Sequence, residues 1–253
     1  MMFISDAALS FRREIGPTLR SWYYILFGII QPLLYLGLFV PLLTGVPGAE
    51  GQGGAALQWF VPGMVAMLVL FTTVQCGWAL TEELLSGSFE RFLATPMSRP
   101  AILVGRALKE LAPLLTQALI IIIVAAPFGL TIYPVPMLLG LVLFLIFGIG
   151  VASLSYALAI ATKRDGSMFY LVSHSVALPL MLLGGVLLPM TNAPNWLFIA
   201  SRFNPLSYLV DAERALFRGE LFTAEIGLGF LVAGITAAIG LLIGALTIRR
   251  ASL

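Results

Sequence analysis

Six long apolar runs separated by short polar stretches set the pattern of this chain, at residues 22–43, 58–80, 108–130, 136–161, 167–189 and 226–248. About 20 apolar residues, each rising 1.5 Å, cross a bilayer core of roughly 30 Å, so every run predicts a membrane-spanning helix. Trp22, Tyr23, Trp59 and Tyr133 lie near the proposed ends, where interfacial aromatics anchor spans. The expected fold is all-α and polytopic, with six transmembrane helices in one domain over residues 1–253.

Three polar stretches interrupt the runs. The first, FISDAALSFRREIGPTLRS, is charged and lacks the short apolar core and small-residue cleavage site of a removable signal, so the first span is expected to act as its own insertion signal. The second, TEELLSGSFERFLATPMSRPAILVGRALKE at 81–110, gathers Glu82, Glu83, Glu90, Arg91, Arg99, Arg106, Lys109 and Glu110. On a helical wheel Leu85, Phe89, Phe92 and Leu93 fall on one side, with Glu83, Gly87, Glu90 and Arg91 on the other. This predicts a short amphipathic helix that ends before Thr95-Pro96. Gly87 weakens its middle by about 1 kcal/mol relative to Ala, and Pro96 stops it. Such a helix either lies along the bilayer with a solvated polar face or docks in a groove of another protein. Its mixed charges argue against simple attraction to anionic lipid, which favours Lys and Arg.

The third stretch, NPLSYLVDAERALFRG at 204–219, opens with Asn204 as N-cap and Pro205 at the first helical position, and Gly219 is a natural stop. A helix of about 14 residues is too short to cross a bilayer. Ser207, Asp211, Arg214 and Arg218 form a polar stripe on it, whereas Glu213 falls among apolar positions, where a charge needs a partner or a water-filled vestibule.

Composition agrees with the pattern. The chain is 60% hydrophobic and only 10% charged, against about 25% charged for a soluble domain. Of its 14 basic residues, Arg12, Arg13, Arg20, Arg91, Arg99, Arg106, Lys109, Lys163, Arg164, Arg249 and Arg250 fall on the side of the termini, and only Arg202, Arg214 and Arg218 fall opposite. The positive-inside rule therefore predicts cytoplasmic termini and an external 192–222 segment.

Several chemistries are excluded. Cys76 is the only cysteine and His174 the only histidine, so neither a disulfide within the chain nor a thiolate or multi-histidine metal centre can be built. No G-x-x-x-x-G-K-[ST] occurs to cradle nucleotide phosphates. The runs hold almost no ionisable residues for an ion pathway. Gln31, Gln75, Gln117 and His174 are the main polar side chains inside them, suited to hydrogen bonds between helices or to contact with a ligand. Phe27, Tyr35, Phe71, Trp78, Phe144 and Met181 offer a lipophilic lining, although most such residues pack against lipid or other helices. Gly240 and Gly244 form a G-x-x-x-G that permits close helix approach, more readily within one subunit than between two.

The order of a charged N-terminus, six spans, E-x-x-x-G-S-F-E-R-F-L-A-T-P after the second and N-P-L-S-Y-L-V-D-A-E-R-A-L-F-R-G before the sixth resembles the type-2 ABC exporter permeases, including drug-resistance and nodulation-factor members. The resemblance covers essentially the whole chain. It implies an amphipathic N-terminal helix, a cytoplasmic coupling helix at Glu82, Glu83, Gly87, Phe89, Glu90, Arg91, Thr95 and Pro96, and an external re-entrant hairpin. In that hairpin Asn204, Pro205, Asp211, Glu213, Arg214 and Arg218 would serve gating, while Gln31, Gln117 and His174 would border the cargo path. It further implies a multi-pass protein of the bacterial cytoplasmic membrane, exporting a hydrophobic or amphiphilic cargo. The chain itself would hold no cofactor and bind no nucleic acid. Two ATP-binding subunits carrying ATP and Mg, a second permease copy and membrane lipid would be its partners. A scaffold or insertase that binds partners or lipids without transport is the alternative class.

Overall fold

The computed structural model describes residues 6, 8–12, 15–16, 30, 33–38, 52–87, 99–162, 166–187, 190 and 193–251. Their regular structure is entirely helical: α1 (Gln52–Ser86), α2 (Arg99–Ala125) with a short 3-10 turn after it, α3 (Pro134–Ala161), α4 (Gly166–Leu183), α5 (Asn195–Arg202), α6 (Pro205–Phe217) and α7 (Ala224–Ala251). Helices α1, α2, α3, α4 and α7 are long and apolar enough to cross a membrane. They match five of the expected spans. The first expected span lies largely outside the described residues, although residues 30 and 33–38 are helical, as are residues 8–12 within the expected N-terminal helix.

Three boundaries differ from expectation, each for a local reason. Helix α1 runs on through Glu82 and Glu83 and stops where Gly87 takes φ +70°, a left-handed cap that a residue without Cβ adopts freely. Gly87 therefore ends a helix rather than weakening the middle of one, and the rest of the expected amphipathic helix, from residue 88 on, lies outside the described residues. Helix α2 begins at Arg99, well ahead of its apolar run, because the 99–110 stretch is rich in good helix formers. Helix α4 ends at Leu183, short of the expected 189, because Gly184 follows and Gly185 turns left-handed at φ +68°.

Lipid is as apolar as a protein core, so a helix bundle in a membrane is held by close packing and polar ties more than by water exclusion. Helix α3 is the centre of this packing, touching α1, α2, α6 and α7. Phe144 and Phe147 are fully buried on it. Its Gly150 meets Gly240 of α7 so closely that a Cβ at either position would collide with the opposing backbone. Gly244 packs likewise on Leu103 and Ser153, so the G-x-x-x-G is used inside the subunit. Ser155 supplies the polar tie: its hydroxyl donates to Val74 O at 2.6 Å and accepts from Gly77 N–H at 2.9 Å, joining α3 to α1. On the outer side of α7, Leu231, Ile235, Ile239, Leu242 and Leu246 stand exposed, as a lipid-facing surface requires.

Candidate functional site

Helix α6 is built as its sequence dictates. The Asn204 carboxamide accepts from Leu206 N–H at 3.0 Å, Pro205 occupies the first helical position and Gly219 closes the end at φ +86°. Asn204 Nδ2 also donates to Leu180 O of α4 at 2.7 Å, so the cap doubles as a tie between helices.

The stripe Ser207, Asp211, Arg214, Arg218 faces one polar cavity of about 250 Å³, whose wall also includes Arg202 and Glu225. Arg202 approaches Asp211 at 3.4 Å. Arg218 binds Glu220 at 2.9 Å and Glu225 at 3.5 Å. Its hydrogen bond to Glu220 raises the guanidinium above, and holds the carboxyl below, their ordinary values.

Arg214 is only 7% exposed and binds no carboxylate among the described residues. Its Nη2 donates to Gly185 O at 2.8 Å and Val186 O at 3.4 Å, its Nε to Trp59 O at 3.3 Å, and its guanidinium lies 4.0 Å from the Trp59 ring centroid. The cause is the early end of α4. Buried backbone beyond a helix end needs donors, and Arg214 brings them to Gly185 and Val186. Burial lowers its guanidinium to about 10, Asp211 acting against the fall, so the group stays charged at neutral pH. Gly63 completes the arrangement, since a Cβ there would meet Val186 O.

Glu213, the next residue back, points elsewhere. It is fully buried, neither carboxyl oxygen has a hydrogen-bond partner, and Gly140 of α3 leaves it room. The partner or vestibule expected for this carboxyl is absent among the described residues. Burial alone raises its pKa well above the ordinary range.

A second cavity, of about 430 Å³ and mainly apolar, lies between α1 and α4. Tyr35, Met64, Met67, Phe71, Gln75 and Met181 line it. Three of the six anticipated lipophilic residues are thus here, Tyr35, Phe71 and Met181, whereas Phe144 is core and Trp78 lies elsewhere, 42% exposed. His174 does not line this cavity but reaches it through Gln75, whose Nε2 stands 3.2 Å from the imidazole nitrogens; Tyr170 stacks on the ring with centroids 3.9 Å apart. Gln117 is buried on α2 and lies away from this lining, and Gln31 is outside the described residues.

The charged segment divides. Glu83 at the end of α1 pairs with Arg106, which is 5% exposed on α2, and Glu82 accepts from Trp78 Nε1 at 3.1 Å. Part of the charge cluster thus ties α1 to α2 internally, a use that neither a solvated face nor a docking surface includes. Phe89, Glu90, Arg91, Thr95 and Pro96 lie outside the described residues. Gln75 hydrogen-bonds between helices as expected, to His174, whereas the Gly184-Gly185 break was missed, although two adjacent glycines after an apolar run were a visible signal.

Comparison with known proteins adds a family. Residues 7–217 match the pattern of the ABC-2 type transporter. The chain is 24% identical over 212 residues, 83% of its own length and 74% of the relative's, to the "Daunorubicin resistance ABC transporter permease protein DrrB1" of Streptomyces coeruleorubidus. It is 24% identical over 166 residues, 63% of its own length and 44% of the relative's, to the "Probable multidrug ABC transporter permease YbhR" of Escherichia coli (strain K12).

Proposed function

Because the chain belongs to the ABC-2 type transporter family, we propose that this multi-pass membrane protein is the permease subunit of an exporter that moves a hydrophobic or amphiphilic molecule outward. Alternating access is driven by separate ATP-binding subunits, two copies of which, holding ATP and Mg, join two permease copies in the bacterial cytoplasmic membrane. The termini are cytoplasmic and the α5–α6 pair is the external, re-entrant element.

The observation that carries this reading is the apolar cavity between α1 and α4. Methionine and aromatic side chains adapt to varied lipophilic shapes, and Gln75, held by His174, adds a carboxamide to the lining. This suits a drug-like or lipid-like cargo better than a long sugar chain, which needs many hydrogen bonds. Two relatives named for drug resistance or multidrug transport fit the same class.

Coupling is assigned to the chain beyond the Gly87 cap, where Phe89 and Glu90 dock in a cleft of the ATP-binding subunit. Glu90→Arg places repulsion in a desolvated contact, at a loss of roughly 2–5 kcal/mol, and Phe89→Ala removes an aromatic anchor. Lys163→Ala in the other cytoplasmic loop is the control. Both segment variants are expected to lose copurification of the ATP-binding subunit and cargo-stimulated ATP hydrolysis while the control keeps both. Normal coupling in the two variants, or ATP hydrolysis indifferent to every amphiphile tried, overturns the assignment and favours a scaffold.

A further inference from the structure

The polar cavity beside α6 has features that the permease reading does not use. Its wall carries three arginines, two of them committed to carboxylates by long or exposed pairs: Arg202 with Asp211 at 3.4 Å, and Arg218, half exposed, with Glu220 and Glu225. Arg214 differs. Its bonds to backbone use Nε and Nη2, so Nη1 has no hydrogen bond among the described residues and no carboxylate lies within ion-pair distance of the guanidinium. This unused donor edge belongs to a guanidinium that lines the cavity, and an anion there accepts from it.

The neighbouring helix supplies a second, independent observation. On α5, Phe198, Ser201 and Arg202 face the cavity, while Trp196, Ile199 and the adjoining Phe203 point away from it at 70%, 58% and 85% exposure. Apolar side chains so exposed, opposite a cationic face on one short helix, place the cavity at the boundary between hydrocarbon and headgroups.

We propose that this cavity binds the anionic headgroup, phosphate or carboxylate, of an amphiphile in the adjoining leaflet. Arg214 Nη1 meets the headgroup, and Arg202 and Arg218 exchange part of their carboxylate contacts for it. Asp211 and Glu225 compete with the ligand for the same cations, which keeps binding reversible.

The test is native mass spectrometry of the full-length protein released from bilayers of phosphatidylcholine with increasing phosphatidylglycerol. Wild type is expected to retain phosphatidylglycerol in preference. Loss of a charge-assisted contact weakens retention about tenfold in Arg218→Gln and Arg214→Lys. Arg218 is half exposed, so its variant keeps the test decisive even if Arg214→Lys fails to fold. Asp211→Asn removes a competing carboxylate and is expected to strengthen retention, which a damaged fold would not do. Displacement by millimolar inorganic phosphate identifies a free anion as the ligand, and resistance to it identifies the lipid. Equal retention of the two lipids by wild type, or unchanged retention in both Arg218→Gln and Asp211→Asn, overturns the site. None of these readouts depends on transport, so the site and the exporter reading can fail separately.

Discussion

Glu213 and Arg214 are neighbours in sequence with opposite solutions to burial. Arg214 finds the carbonyls at the end of α4, whereas Glu213 meets Gly140 and no donor. An unpartnered buried carboxyl is cheapest when protonated. Its folded pKa is raised, so its contribution to stability is fully present below the unfolded value of about 4.3 and is lost as pH rises from there toward the folded value. Thermal unfolding in detergent should therefore show wild type losing ground to Glu213→Gln steadily with rising pH, the two curves sharing one slope only at the acid end. Parallel curves throughout would mean that the carboxyl finds a partner. The sequence showed that Glu213 interrupts an apolar face, but not that Arg214 would turn to backbone, because that depends on where α4 breaks.

At the scale of elements, the apolar runs were sufficient to place α1, α2, α3, α4 and α7, since bilayer thickness fixes span length, and Asn204-Pro205 with Gly219 bounded α6 closely. Helix ends were less legible. Charged residues at 99–107 fell outside the expected spans, yet Arg106 and Glu83 continue two helices and pair between them, a tertiary contact no local pattern announces. The glycines of α7 were more legible: Gly240 stands in the G-x-x-x-G and Gly234 does not, and a Cβ meets the Gly150 backbone at the first and open space at the second. Gly240→Ala should destabilise by about 1–3 kcal/mol through overpacking, while Gly234→Ala should be neutral or gain up to about 1 kcal/mol of helix propensity. Equal melting temperatures for the two variants in lipid would contradict the close crossing of α3 and α7.

For the whole molecule, the uneven distribution of basic residues sets an orientation that labelling can check. In a Cys76→Ser background, single cysteines at Ser88 and Thr191 should react from opposite faces of sealed vesicles, and reaction from one face would sink the six-span topology. At the same scale, the ties around the end of α4 limit how the apolar cavity between α1 and α4 can change shape. Asn204 grips Leu180, Arg214 grips Gly185 and Val186, and Ser207 binds Ser201 O at 2.8 Å. These clasps bracket the end of α4 and hold it to α5 and α6, and Trp59 O, which also accepts from Arg214, joins α1 to the same junction. Pro179 lies just ahead of the first clasp and is where α4 bends most readily, because its missing N–H removes a helix hydrogen bond. Met181 in the wall of the apolar cavity and Gly184 and Gly185 in the wall of the arginine cavity are neighbours on this clasped stretch, so a displacement at either cavity is felt at the other.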